Sequence, residues 1–368
     1  MQIQHQPPVH LTYCLNIHPG ETWAEQFTAI QQKALKVKDL IAPDRPFGLG
    51  LRLSRHAADS LAAKNRRTDV RKFLDDHGLY AFTINGFPYG QFHGARVKEN
   101  VYAPDWRTPE RREYTLLLAD ILADLLPDGV SGSVSTVPVS FRPWIANESD
   151  LKAAVANLSA CADRLAGGNI CLALEPEPSC FLETTEETIR FLTEQFSDTA
   201  RQHIGVCFDT CHVAVQFEDV TASLKRYLDA GVRVAKIQLS AAIETDRLDA
   251  LEPFRDEVYL HQTKLRRADG SLTGWNDLPS DGPLGERALP RTFRTHFHVP
   301  LFFEGDATRR STAATLTPEF FHLLRDGVCE HLEIETYTFD VLPPDLGLKD
   351  DVIRCIAEEF NWVLQRFG

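Results

Sequence analysis

Four polar side chains stand where four apolar segments end, and each of them can bind a metal ion. One such acid alone often caps the next helix or pairs with an Arg or Lys. If the segments are neighbouring parallel strands, however, their ends meet at one edge and the acids are crowded together. Burying them unpaired is costly, and a divalent cation is the simplest compensation. The four residues are Glu175, Asp209, Gln238 and Glu335.

Three histidines add nitrogen ligands to the same predicted site. His212 follows Asp209 by three residues, which is about one turn if a helix starts there. His296 and His298 alternate within residues 295–303, a segment with the pattern of a strand. Two residues that alternate in a strand share one face and can present two imidazoles to one ion. Histidines that are exposed or only hydrogen-bonded are an equally good interpretation.

Eight apolar segments rich in β-branched residues recur along the chain, and each precedes an amphipathic segment. Strand, helix and strand joined by short links indicate parallel strands and right-handed crossovers. Eight such units predict an α/β fold, a single (β/α)8 TIM barrel over residues 1–368. An open doubly wound sheet is the alternative, but the first strand–helix turn lacks its GxGxxG signal. The predicted strands are His10–Asn16, Phe47–Leu53, Tyr80–Asn85, Val130–Thr136, Asn169–Glu175, His203–Asp209, Val232–Leu239 and His331–Thr336.

The segments between these strands predict helices and two long loops. Thr22 and Glu25 form a capping box, and Pro109 stands in a first helical turn, where its missing N–H costs nothing. Residues 86–107 and 240–294 have an irregular pattern, and the second is a long insertion between strands 7 and 8. Long excursions after barrel strands are usually on the substrate side. The helices are predicted from 22 to 41, through 70–74, from 108, and over 151–165, 185–196, 220–228 and 350–367.

Composition restricts the class of protein. The 368 residues are 43% hydrophobic and 25% charged, and the formal net charge of −13 makes nucleic acid a poor partner. Eight cysteines, several in apolar segments, suit buried thiols in a reducing compartment. The first residues lack a secretory pattern, and no apolar run is long enough to span a membrane. We therefore predict a cytoplasmic protein with a small-molecule partner, and a homo-oligomer is left open.

Three motifs resemble the xylose isomerase-like barrel superfamily: Leu-Glu175-Pro, Asp209-Thr-Cys-His212 and Leu-Glu-Ile-Glu335. That superfamily holds sugar-phosphate isomerases, ketose epimerases and, more distantly, nucleases of the endonuclease IV type. Longer motifs more closely resemble the metabolite traffic protein EboE family, over nearly the whole chain. They are His-Leu-Thr-Tyr-Cys-Leu-Asn-Ile-His-Pro-Gly-Glu-Thr-Trp near the start, Asn-Gly-Phe-Pro-Tyr-Gly-Gln-Phe-His-Gly from residue 85 and His-Phe-His-Val-Pro from residue 296.

The resemblance implies a divalent metal ion (Mn, Mg, Co or Zn) at the barrel mouth. Glu175, Asp209 and Glu335 would match the superfamily's metal-binding acids. Gln238 stands where many epimerases have a histidine, and its neutral oxygen favours Mn²⁺ or Mg²⁺ over Zn²⁺. His212 would contact substrate, as in epimerases, or bind a further zinc, as in the nucleases, together with the two later histidines at 296 and 298. For two other nuclease ligands no clear counterpart exists, and His93 is a weak stand-in.

Three functions follow from these expectations. The leading hypothesis is an isomerase or epimerase of a small polyol, sugar or sugar phosphate, in which Glu175 and Glu335 exchange a proton through a metal-stabilised enediolate. The first alternative is metal-dependent hydrolysis of a phosphoester, and the second is a non-catalytic metabolite-binding or carrier protein. Candidate substrate contacts are Lys98, Arg142 and Lys236 for a phosphate and Tyr89, Phe92 and Trp106 for a sugar face, although solvated charges and loop packing explain them as well.

Overall fold

The structure is a computed structural model that describes residues 1–94, 96–279, 291–339, 341–342 and 351–368. Nine of its strands form one sheet in the order β1-β2-β14-β8-β7-β6-β5-β4-β3, and the other five form a second sheet. The strands are β1 (Gln2–His5), β2 (Pro8–Tyr13), β3 (Phe47–Arg52), β4 (Leu79–Asn85), β5 (Gly132–Thr136), β6 (Ile170–Leu174), β7 (Ile204–Asp209), β8 (Val234–Leu239), β9 (Ile243–Thr245), β10 (Thr263–Arg267), β11 (Leu272–Trp275), β12 (Arg291–Thr295), β13 (Arg310–Ser311) and β14 (His331–Ile334).

The first sheet closes into a barrel of eight parallel strands, to which β1 adds an antiparallel hairpin partner for β2. A parallel bridge between Cys14 and Gly50 joins β2 to β3 and completes the ring. Gly50 is required there because a Cβ atom would lie 1.9 Å from Glu333 Oε1 and 2.9 Å from Tyr13 O. All eight predicted barrel strands are present, so the TIM-barrel prediction is confirmed.

Helices follow the barrel strands as the apolar periodicity predicts. The capping box of Thr22 and Glu25 starts α1, and a π-helical turn over 30–34 separates α1 from α2. The predicted start of the last helix at residue 350 lies outside the described residues. The helices are α1 (Trp23–Ala29), α2 (Leu35–Ile41), α3 (Arg55–Ser60), α4 (Lys64–Asp76), α5 (Pro109–Leu125), α6 (Glu148–Leu165), α7 (Thr185–Gln195), α8 (Asp198–Arg201), α9 (Thr210–Val215), α10 (Val220–Asp229), α11 (Pro318–Arg325) and α12 (Val352–Phe367).

The insertion after β8 forms the second sheet, which we call the accessory sheet (β9 to β13, order β11-β10-β12-β9-β13). The prediction that residues 240–294 are irregular is therefore wrong for the described part of this segment, and 280–290 lie outside it. The predicted strand over 295–303 is also wrong beyond Thr295, where β12 ends. The N–H of Phe297 donates to the main-chain oxygen of Thr295 at 2.9 Å instead of to a neighbouring strand. Pro300 has no N–H that could bond to such a strand.

Register places the polar strand ends side by side. Asp209 pairs with Gln238 across β7 and β8, and Gln238 pairs with Glu333 across β8 and β14. Paired residues of parallel strands project to the same face, so these side chains share the barrel interior. All eight cysteines are buried, as the sequence predicts. Among the described helices, none combines the length and apolarity needed to cross a membrane.

Candidate metal centre

Three carboxylates converge at the mouth of the barrel, and we call them the acid cluster (Glu175, Asp209 and Glu335). Glu175 follows β6, Asp209 ends β7 and Glu335 follows β14. One carboxylate oxygen of each lies within 4.8 Å of the other two. The three residues are only 4%, 1% and 3% exposed, so water does little to separate their charges. The strand order thus brings together acids that lie up to 160 residues apart in the sequence.

The acid cluster is electrostatically costly unless a cation neutralises it. Burial raises the pKa of Glu175 well above its ordinary value, and the charges of Glu335 and Asp209 raise it further. Burial and then Asp209 likewise raise the pKa of Glu335. Glu175 Oε2 and Asp209 Oδ2 are buried and have no hydrogen-bond partner among the described residues. Several anionic oxygens with unused lone pairs are the donor set that a hard divalent cation prefers, so the cluster fits such an ion.

Two asparagines hold the carboxylate of Glu335 in place. Asn16 Nδ2 and Asn85 Nδ2 donate to Glu335 Oε1 at 2.8 and 2.9 Å, which leaves Oε2 for another partner. Asn85 is itself fixed, because its Oδ1 accepts from the Phe87 N–H at 3.1 Å. Sequence reasoning did not assign either asparagine a role. A sequence signal for them exists, because both asparagines end predicted strands, as the acids do.

Gln238 lies beside Asp209 but turns its amide toward a thiol. Gln238 Oε1 accepts from Cys207 Sγ at 3.0 Å, while Nε2 has no partner among the described residues. In this orientation the side chain does not have a free oxygen for a cation, and a 180° rotation of the amide would exchange the two atoms. The structure therefore places Gln238 next to the acid cluster without engaging it.

Three imidazoles meet beside the acid cluster, and we call them the histidine cluster (His212, His296 and His298). His296 Nε2 lies 3.1 Å from Nε2 of His212 and 3.1 Å from Nε2 of His298. Each Nδ1 faces an oxygen: Pro176 O at 2.9 Å, Gln262 Oε1 at 2.7 Å and Glu335 O at 2.7 Å respectively. Main-chain oxygens only accept, so Nδ1 donates in His212 and His298, and Nε2 of the neutral ring then has only its lone pair. The same holds for His296 when Gln262 presents its oxygen.

Three lone pairs at this separation repel one another unless something positive lies between them. Burial lowers the pKa of His296 well below its ordinary value, and it lowers that of His298 to about 4. Burial therefore favours the neutral form of these two rings. Converging Nε2 atoms with their Nδ1–H groups held by oxygens are the usual arrangement of histidine ligands. The donor set of the histidine cluster thus fits a metal ion.

Asp209 connects the two clusters. Ligand atoms of Asp209, His212 and His298 all lie within 4.8 Å of one another. Asp209 Oδ1 accepts from the His212 N–H at 2.9 Å, which caps α9, and from Ser240 Oγ at 2.8 Å. The capping and the metal-binding interpretations of this acid are therefore compatible, because capping uses Oδ1 and leaves Oδ2 unpartnered.

A small pocket of about 60 Å³ is lined by Glu175 and Glu335 of the acid cluster and by all three rings of the histidine cluster. Its outer wall includes Phe92, Tyr259 and Tyr337, whose ring centroids lie 5.2–5.4 Å apart, and Tyr337 lies 4.7 Å from the His298 ring. Of the aromatic residues suggested from the sequence, Phe92 lines this pocket. Tyr89 and Trp106 are not among its lining residues.

The lysines and the arginine that the sequence suggests as phosphate contacts all form ion pairs with acidic residues. Lys236 is buried inside the barrel in an ion pair with Glu333 at 2.5 Å. Lys98 lines the pocket, but its Nζ binds Asp277 at 2.7 Å and the Tyr259 oxygen at 2.7 Å. Arg142 is half-exposed and pairs with Glu187, outside the pocket. His93 is also outside both clusters.

Comparisons with known proteins agree with this architecture. The family model described as xylose isomerase-like TIM barrel matches residues 49–261. A search of the curated proteins finds no match to the chain. The resemblance to the EboE family therefore stays a prediction.

Solved structures match over nearly the whole chain at low identity, which shows a shared fold. A xylose isomerase-like TIM-barrel protein from Mycobacterium smegmatis in complex with magnesium is 12% identical with a TM-score of 0.57, covering 98% of this chain and 96% of that one. D-allulose 3-epimerase from Methylomonas sp., in complex with D-allulose, is 14% identical with a TM-score of 0.54 and 97% coverage of both chains. The IolI protein with a zinc atom is 14% identical with a TM-score of 0.52, covering 98% and 99%.

Proposed function

Because the chain belongs to the xylose isomerase-like TIM-barrel family, we propose that it is a metal-dependent isomerase or epimerase of a small sugar or polyol. The observation that carries this proposal is the convergence of Glu175, Asp209 and Glu335 at the barrel mouth. The three acids would hold a divalent ion through their oxygens. Such an ion supplies positive charge beside the substrate oxygens and so favours an enediolate.

Glu175 and Glu335 move the proton in this proposal. Glu175 would take the proton from the carbon next to the substrate carbonyl with one carboxylate oxygen and hold the ion with the other, since Oε2 has no hydrogen-bond partner among the described residues. Glu335 would start protonated and give its own proton to the other face of the enediolate through Oε2, because Oε1 is held by the two asparagines. The proton gained by Glu175 and the one lost by Glu335 would be exchanged with solvent before the next turnover. Burial favours the protonated form of both carboxyls, and a bound ion would favour the ionised form, so the two effects oppose each other at these residues. His212 contacts the substrate from the histidine cluster.

The walls of the pocket favour a substrate without a phosphate. The ammonium of Lys98, the lining lysine, is already satisfied by Asp277 and main-chain oxygens. The aromatic rings of Phe92, Tyr259 and Tyr337 offer flat faces for the C–H groups of a sugar. A volume of about 60 Å³ is far below that of an ordinary small-molecule site. We therefore expect the segments that carry these rings to move outward when a sugar enters.

A second candidate function is hydrolysis of a phosphoester, and the histidine cluster supports it. Three Nε2 atoms about 3.1 Å from their neighbours suit a second ion, and Asp209 lies within reach of both clusters. Paired ions favour hydrolytic chemistry. The net charge of −13 makes a nucleic-acid substrate unsuitable, so a small phosphoester is the alternative.

Metal analysis combined with a substrate panel tests both functions. Full-length protein is loaded with Mn²⁺, Co²⁺ or Zn²⁺ and assayed on ketoses, polyols and small phosphoesters. Glu335→Gln is compared with Glu358→Gln, an exposed acid on α12. Isomerisation of a sugar that Glu335→Gln loses and Glu358→Gln keeps supports the leading function. Phosphoester hydrolysis with two zinc ions supports the second, and tight ligand binding without turnover by any metal form refutes both in favour of a carrier.

A further inference from the structure

Gln262 contacts His296 twice from its position immediately before β10. Its main-chain oxygen accepts from the His296 N–H at 2.8 Å, and its side-chain Oε1 accepts from His296 Nδ1 at 2.7 Å. The other two rings of the histidine cluster are held by main-chain oxygens, which can only accept. A side-chain amide differs, because it can present either its oxygen or its NH₂ group. The protonation pattern of His296 therefore depends on which way the amide of Gln262 faces.

The surroundings of Gln262 fix that orientation. Gln262 Nε2 lies 2.9 Å from Glu177 Oε1, 2.9 Å from the Tyr102 hydroxyl and 3.1 Å from the Pro178 oxygen. The Pro178 carbonyl can only accept, so turning the amide over would set two oxygens against each other. Tyr102 donates its own hydrogen to Glu177 Oε1 at 2.8 Å, which leaves the hydroxyl oxygen free to accept. Gln262 is 0% exposed, so water does not offer an alternative partner.

We propose that Gln262 is a positioning residue that keeps the hydrogen of His296 on Nδ1 and the Nε2 lone pair directed into the histidine cluster. In the opposite tautomer an N–H group would point at the neighbouring rings, and His296 would be unable to bind a cation. The inference deepens the second candidate function, since it rests on the metal-binding role given there to the histidine cluster. It also assigns a role to the accessory sheet, which supplies Gln262 before β10 and the two later histidines after β12.

The first experiment needs no metal. Full-length protein labelled with ¹⁵N-histidine and freed of metal by a chelator is compared with Gln262→Leu and with the matched control Thr263→Val. Thr263 is equally buried and adjacent, but its hydroxyl binds the His261 oxygen and Thr295. Two-bond ¹⁵N–¹H correlations report which ring nitrogen carries the hydrogen, and His296→Gln identifies the signals. Gln262→Met, which keeps the side-chain length, replaces the leucine variant if that variant does not fold.

We expect His296 to carry its hydrogen on Nδ1 in the unsubstituted protein and in Thr263→Val, and to become a mixture of tautomers in Gln262→Leu. A hydrogen on Nε2 in the unsubstituted protein, or an unchanged tautomer in Gln262→Leu, overturns the proposal. Zinc titration of the same proteins then separates it from the proposed function. We expect about 10- to 100-fold weaker zinc binding at the histidine cluster in Gln262→Leu. Equal zinc affinity in the unsubstituted protein and in Gln262→Leu overturns the role of Gln262. If His296 carries its hydrogen on Nδ1 but no zinc binds, only the metal site is refuted.

Discussion

The main-chain oxygen of Glu335 accepts a hydrogen bond from Nδ1 of His298 at 2.7 Å, so one residue serves both clusters. Its carboxylate belongs to the acid cluster, and its carbonyl orients a ring of the histidine cluster. Pro176, which follows Glu175, holds His212 in the same way at 2.9 Å. Because the same strand ends build both clusters, a shift of either strand end displaces acids and imidazoles together. The two clusters therefore form one centre with two candidate metal positions.

Replacing His298 separates the two positions. We expect His298→Ala to lose the ion of the histidine cluster and to keep the ion of the acid cluster, because none of the three acids is altered. The measurement is the number of zinc equivalents retained after dialysis. His322→Ala on α11 is the control, since His322 is exposed and far from the mouth in the fold. A His298→Ala protein that retains as much zinc as this control would contradict a metal site at the histidine cluster.

Asp209→Asn removes one charge from the centre while keeping the cap of α9. The asparagine oxygen can still accept from the His212 N–H and from Ser240, so folding is retained. We expect weaker metal binding at both clusters, because Asp209 lies within reach of each. The metal-free variant is expected to be at least as stable as the metal-free original, since one buried charge is gone. Asp209→Ala loses metal as well and also costs about 1 kcal/mol in capping. Unchanged metal content in Asp209→Asn would refute the acid cluster as a binding site.

Much of the barrel could be predicted from the sequence, because each barrel strand is a short apolar segment followed by an amphipathic helix. The accessory sheet could not be predicted in this way. Its strands are short and carry many charges, as in Arg291–Thr295, so their apolar alternation is weak. Their pairing is antiparallel and joins segments up to tens of residues apart, as between Ile243–Thr245 and Arg310–Ser311. Local pattern does not contain that information.

The acids of the centre were accessible to sequence reasoning because each ends a strand, and strand ends meet in a barrel. Asn85 also ends a strand, and Asn16 lies three residues past β2 in a 3₁₀ turn. The sequence assigns them no role because amides are weak metal ligands. Gln262 follows no such rule. It lies 34 positions before His296 and reaches it only through the pairing of β10 with β12. The residues that hydrogen-bond to metal-ligand side chains are set by tertiary contacts, so a single sequence does not reveal them.

Lys236 balances a buried charge beneath the acid cluster. Lys236 and Glu333 are both 0% exposed and form an ion pair at 2.5 Å. Lys236→Met leaves the carboxylate of Glu333 buried without its cation, so we expect a loss of about 3–5 kcal/mol in the free energy of unfolding. Adding Glu333→Gln removes the stranded charge, and the double variant should recover much of that loss. Urea denaturation of the two variants measures the difference, and equal destabilisation of single and double variants would contradict this account.

The last prediction concerns Glu359 on α12, which ties two segments of the centre together. Its Oε1 accepts from Thr336 Oγ1 at 2.7 Å and from the Leu301 N–H at 3.1 Å. Burial raises the pKa of Glu359 from 4.5 to about 7, against the lowering effect of these two bonds. The folded protein therefore binds this proton more tightly than the unfolded chain, and the stability it contributes is complete below pH 4.5 and is lost as the pH rises to about 7.

Glu359→Gln keeps both hydrogen bonds and stays neutral, so it should be more stable than the original protein above pH 7 by up to roughly 3 kcal/mol and similar to it near pH 4.5. Urea midpoints measured at both pH values test this, with Glu358→Gln as the exposed control. A difference between Glu359→Gln and the original protein that is independent of pH would show that folding does not shift the pKa of Glu359.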